Sequence, residues 1–92
     1  MKKIQTGKVS VCSPDKSFFA SDGKVFKSLA DLAAGVQRMH PDTFKHHANK
    51  EKNDFSNWVR DVFGEQQLAD LALNARSQKH LAQMVYARLR GN

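Results

Sequence analysis

Asn53-Asp54-Phe55-Ser56-Asn57-Trp58-Val59-Arg60-Asp61-Val62-Phe63-Gly64 is the stretch of this 92-residue chain that decides its fold. Phe55, Trp58, Val59, Val62 and Phe63 fall at i, i+3, i+4, i+7 and i+8, the spacing of one apolar helix face. Asn53 is a good N-cap, Asp54 suits the positive end of a helix dipole, and Gly64 is a good residue just past the end. The stretch therefore predicts an amphipathic helix over 54–63 with large residues turned inward. Asn53 and Asp54 read as caps rather than a functional pair. Trp58, in the middle of the stripe, reads as core rather than as a recognition aromatic.

Working outward toward the N-terminus, Pro41 opens a short helix over about 41–48 that carries Phe44, His47 and Ala48. Ser28, with Asp31 three residues on, caps another over about 28–39. Leu29, Leu32, Ala33 and Val36 form its apolar face, and His40-Pro41 stops it. Before it, Ser17 to Lys27 reads as a β-hairpin turning at Asp22-Gly23, with Phe19 facing Phe26. Toward the C-terminus, Leu68, Leu71, Ala72 and Ala75 outline a helix over about 65–75. Ser77 caps a last one over about 78–90, with Leu81, Met84, Val85 and Leu89 inward. The expected fold is mainly α with a small N-terminal β-hairpin (α+β). The hairpin packs on a bundle of four or five short helices. Residues 1–16 are expected to form a basic arm or edge strand, and 17–92 a single globular domain.

The Asn-Asp-Phe-x-x-Trp run, with Phe44 and His47 as an aromatic-x-x-His step and Leu68-Ala69 further on, resembles an uncharacterised small prokaryotic domain family, mainly archaeal. The resemblance covers about residues 18–73. It implies the same hairpin-plus-helices fold and carries no activity with it.

Charge is uneven along the chain. The net charge is +6. Residues 1–27 hold six lysines against Asp15 and Asp22, and residues 74–92 hold Arg76, Lys79, Arg88 and Arg90 with no acid. The middle is slightly acidic. In the last helix Arg76, Lys79, His80, Gln83 and Arg90 line one side. Such a stripe, helped by the lysine-rich arm, suits nucleic-acid phosphates. The expected function is a non-catalytic module that binds nucleic acid with little sequence preference through Lys2, Lys3, Lys8, Arg76, Lys79, Arg88 and Arg90. A helix-turn-helix reading of 67–84 matches poorly, because Leu73 falls where glycine is usual and Lys79 where an apolar residue should be buried. The alternative is a protein-interaction or homo-oligomerisation module, with some of Phe18, Met39, Phe63 and Tyr86 left outside the core.

Catalytic and metal chemistry find little support. Phe44, His47, Asn53, Asp54, Phe55, Trp58 and Val62 read as structural. His47 would pack beside Phe44 and Trp58, with one ring nitrogen bonded to backbone or to Asp54. A catalytic use of His47 with Asp54 requires both to open into one solvent-accessible pocket. Neighbouring His46 and His47 point about 100° apart on a helix and cannot share one metal ion from a regular turn. Cys12 is the only cysteine and has no partner at zinc-site spacing. No cofactor, metal or small-molecule substrate is expected. The basic start lacks the apolar stretch of a signal peptide, and no apolar run approaches the roughly 20 residues of a membrane span. A cytoplasmic protein is expected.

Overall fold

The computed structural model describes residues 11–91. A 3-10 turn at Pro14–Lys16 leads into a two-stranded antiparallel hairpin, β1 (Phe18–Phe19) and β2 (Val25–Phe26). Five helices follow: α1 (Leu29–Arg38), α2 (Pro41–His47), α3 (Asp54–Phe63), α4 (Gln66–Leu73) and α5 (Gln78–Leu89). The protein is mainly helical, with the hairpin ahead of the helices and packed onto them. α1 lies against α5 and β2, while α4 bridges α3 and α5.

The caps read from the sequence are in place. Ser28, Asn53 and Ser77 each accept a hydrogen bond from the backbone N–H three residues on. Gly64 ends α3 in the left-handed region at φ 67°. Caps of this kind contribute about 1 kcal/mol each. Other polar side chains tie helix ends to neighbouring elements. Gln78 Nε2 donates to Val36 O and Met39 O at 2.9 and 2.7 Å, securing the end of α1 to the start of α5. Asn53 Nδ2 donates to Ala72 O at 3.2 Å, so one residue caps the start of α3 and the end of α4. Ser56 Oγ donates to Ala69 O at 2.7 Å in the buried α3–α4 contact.

An aromatic cluster fills the space between hairpin and helices. Phe18 lies 5.1–5.8 Å, centroid to centroid, from Phe26, Phe55 and Trp58. Phe55 is fully enclosed, which contributes about 1.5–3 kcal/mol relative to exposure. Trp58 is buried, and its indole N–H donates to Lys16 O at 2.7 Å. Val62 is half-buried against the cluster.

The hairpin register differs from the expected one. Phe18 pairs with Phe26 and Phe19 with Val25. Ala20 N–H donates to Lys24 O, and Gly23 N–H to Ala20 O. The loop is thus three residues, Ser21-Asp22-Gly23, with Gly23 at φ 95°, and not the two-residue Asp-Gly turn. A three-residue loop shifts pairing by one, and one residue of slip reverses every side chain. Phe18 and Phe26 therefore go inward, and Phe19 is left 63% exposed.

Three further corrections concern the core. Leu71 lies outside it, and Ala69 takes the buried position on α4. Ala75 falls beyond the end of α4. Of the residues expected to lack room inside, Phe18 and Met39 are buried, and Phe63 and Tyr86 are partly buried against the core.

Candidate functional site

His47 and Asp54 meet in a structural clamp. Ser21 N–H donates to His47 Nε2 at 3.0 Å, so that nitrogen presents its lone pair. The ring proton then sits on Nδ1 and is donated to Asp54 Oδ2 at 2.9 Å. The chain Ser21–His47–Asp54 links the hairpin loop, the end of α2 and the first turn of α3. The imidazole is buried and edged by Phe18 and Phe55, not by Phe44 and Trp58. Both ring nitrogens are engaged, where one was expected. Partial burial pushes the Asp54 carboxyl up, but hydrogen bonds from His47 and Lys52, with the Lys52 charge, outweigh it and hold it below the usual range. With both nitrogens hydrogen-bonded and only 8% of the side chain exposed, His47 has no unengaged nitrogen from which to take a substrate proton.

The basic residues arrange differently from their order in sequence. Lys79, Gln83 and Arg90 lie within about 40° of one another around α5, at about 100° per residue. Arg88 is about half a turn away from them. Its guanidinium donates through Nε and Nη2 to both carboxylate oxygens of Glu65, each at 2.8 Å. Those hydrogen bonds and the Glu65 charge hold Arg88 above the usual guanidinium range. Arg88 is thus engaged at the C-terminal end of α5. Arg90 is about 16 Å along the helix from Lys79, from 1.5 Å per residue. Lys2, Lys3 and Lys8 lie outside the described residues.

The N-terminal end of α5 tells a different story. Between the end of α2, the loop that follows it and the α4–α5 turn runs an open cleft of about 480 Å³. That size falls among small-ligand sites, about 300–1,000 Å³. Lys45, Lys50 and Arg76 line it, and no carboxylate does. Phe44, Leu73 and Ala75 supply apolar surface, and Asn49, Ser77 and Gln78 supply hydrogen-bonding groups. Lys79 lies just past Ser77 and Gln78, in an adjoining depression they share with Gln37. Lys45, Lys50, Arg76 and Lys79 make no ion pair among the described residues.

Local chemistry frames this cleft firmly. Asn49 Nδ2 donates to Lys45 O at 3.0 Å, covering the end of α2. Asn49 Oδ1 accepts from Glu51 N and Lys52 N, folding the loop into a tight turn that carries Lys50. The Asn53–Ala72 bond joins that loop to the end of α4. Across the cleft, Arg76 N–H donates to His80 Nδ1 at 3.2 Å, pinning the backbone just before α5. The positive end of α5 adds to the field of the cations.

Of the residues expected to contact nucleic acid, Arg76 and Lys79 are brought together here. Lys45 and Lys50 were not singled out in the sequence, because they sit in its slightly acidic middle. Phe44, expected to be structural, packs on Phe55 at 5.6 Å and also lines the cleft. No protein-family model, curated protein or solved structure matches the chain. The family resemblance of the Asn-Asp-Phe-x-x-Trp run thus rests on those residues alone.

Proposed function

We propose that the protein is a non-catalytic module that binds nucleic acid through its phosphate backbone, with little sequence preference. The observation that carries this reading is the cleft lined by Lys45, Lys50 and Arg76 without a carboxylate. Lys79 extends the cationic surface along α5. The footprint centres on the N-terminal end of α5, since Arg88 at the other end is held by Glu65. Lys2, Lys3 and Lys8 supply half of the net charge of +6 and add to the attraction. Binding releases condensed counterions, so affinity falls steeply with salt. Neutralising charges offer no base-edge readout, which accounts for the weak sequence preference. No helix of the described residues is long and apolar enough to cross a membrane. We place the module in the cytoplasm.

Fluorescence anisotropy against labelled oligonucleotides over a series of salt concentrations tests the reading. Each phosphate contact contributes about 0.7–0.9 to the slope of log affinity against log salt. The triple variant Lys45→Ala/Lys50→Ala/Arg76→Ala should lower the slope by about 2–3. No binding of the unaltered protein at low salt, or an unchanged slope in the variant, overturns it.

A second reading has its own observation. Leu71 is 52% exposed beside a groove formed with Leu68, Met84 and Ala87. That groove favours a protein partner or a second copy of the chain. Sedimentation showing a monomer at all concentrations, unchanged by Leu71→Asp, counts against a homodimer.

A further inference from the structure

We infer that the strand bound in the cleft is single-stranded, with one unstacked base resting on the apolar surface of Phe44 and Leu73 while Lys45, Lys50 and Arg76 hold the flanking phosphates. This rests on the phosphate-binding reading above and adds what kind of nucleic acid the site takes.

The shape of the site carries the argument. A duplex presents a convex, charged backbone with its bases paired inside, and it is met by a helix or ribbon laid into a groove. Here the cations surround a concavity of about 480 Å³. A duplex phosphate ridge can touch its rim but can put nothing into it. A single strand can turn a base outward and stack or pack it on side chains.

The lining matches such a base. Leu73 is 59% exposed and presents apolar surface to the cleft. At about 100° per residue, it flanks the buried stripe of α4 on the side opposite Leu71. Leu73 therefore faces the cleft while Leu71 faces the α4–α5 groove. The two leucines form no common patch, so an apolar protein partner covering both is not what this side of α4 is shaped for. Phe44 is held from behind by its stack on Phe55, which keeps the aromatic side of the cleft rigid. Charge complementarity then selects an anionic strand over a neutral apolar ligand, with three cations and no acid in the lining. Asn49, Ser77 and Gln78 in the lining are already committed in part to backbone groups. Base edges thus meet few free donors and acceptors, and the base contact is sequence-tolerant.

The test compares a labelled oligothymidylate with a duplex of equal length, at low ionic strength, for the full chain and for Leu73→Ala. Leu73 is exposed, so its truncation leaves the fold intact, and circular dichroism checks this. The expected result is at least tenfold tighter binding of the single strand. Leu73→Ala should weaken that binding by about fivefold, as loss of a partly buried aliphatic contact implies, and leave duplex binding unchanged. Equal or tighter duplex binding, or no effect of Leu73→Ala on the single strand, overturns this inference and leaves phosphate binding standing. Thymidine monophosphate competing as well as the strand, nucleotide for nucleotide, also overturns it. Absence of binding to either oligonucleotide overturns the phosphate-binding reading itself.

Discussion

Gly35 sits inside α1, where replacing glycine by alanine ordinarily stabilises a helix by about 1 kcal/mol. Here the sign should reverse. A Cβ at Gly35 would lie 2.3 Å from both Cε1 and Cζ of Phe26. Carbon atoms in contact sit about 3.5–4.0 Å apart, so the overlap exceeds 1 Å. The ring has little freedom to retreat: Phe26 is 4% exposed and lies parallel to Phe18 at 5.8 Å. Overpacking of this kind costs about 1–3 kcal/mol, and the depth of overlap places Gly35→Ala in the upper part of that range. Subtracting the propensity gain leaves a net loss of about 1–2 kcal/mol. For a domain of this size, that lowers Tm by about 4–16 °C. Differential scanning calorimetry measures it. The double variant Phe26→Leu/Gly35→Ala should recover part of the loss, with a coupling of about 0.5–3 kcal/mol. A Gly35→Ala protein melting at or above the unaltered chain refutes the close-approach account, as does strict additivity in the cycle.

Other outcomes follow from the clamp and the ion pairs. His47→Phe keeps an aromatic ring in the cage but deletes the bonds to Ser21 N–H and Asp54, and urea denaturation should show a loss of about 2–4 kcal/mol. Asp54 is held below its usual value of 3.8, so its contribution is full above that value and is lost as pH falls through the folded one. Urea midpoints measured downward from about pH 5 should drop less steeply in Asp54→Asn. The exposed Arg88–Glu65 pair contributes at most about 1 kcal/mol. Arg88→Ala should therefore lower Tm by no more than about 4–8 °C and leave oligonucleotide affinity close to unaltered, whereas Arg76→Ala weakens binding and reduces its salt slope by about 0.7–0.9.

The helices were legible because their signals are local. Ser28, Asn53 and Ser77 announce starts, Gly64 announces an end, and the Phe55–Phe63 stripe has the period of a buried face. The hairpin's existence was equally local, but its register was not. Asp22-Gly23 fits a two-residue turn and a three-residue turn with glycine last. Only the packing of Phe18 against Phe55 and His47 selects the second. Leu71 misled for a related reason. The stripe of α4 is centred on Leu68, Ala69 and Ala72, and small alanines there let α3 approach closely enough for Ser56 to reach Ala69 O. A rule that ranks leucine above alanine for burial misses a contact that depends on smallness.

The cleft was hidden by counting charge along the chain instead of through space. Residues 28–73 hold more acids than bases, which suggested a middle with nothing for an anion. Apart from Glu51, which follows Lys50 on the cleft loop without lining the cleft, folding engages those acids elsewhere. Asp54, Asp61 and Glu65 pair with Lys52, Arg60 and Arg88. Asp31 accepts from Lys27 N–H and Asp70 from Gln66. Asp31, Asp42 and Asp54 all stand in first turns, where the helix dipole favours them. Lys45 sits in the last turn of α2 for the same electrostatic reason, and Lys50 follows on the loop. Helix polarity thus separates carboxylates from amines within a segment whose summed charge is near neutral. The turn before α5 then brings Arg76 to the same place. A cationic surface arises from a slightly acidic stretch because the end of α2 and the start of α5 face one cleft, a relation that charge counts along the chain do not contain.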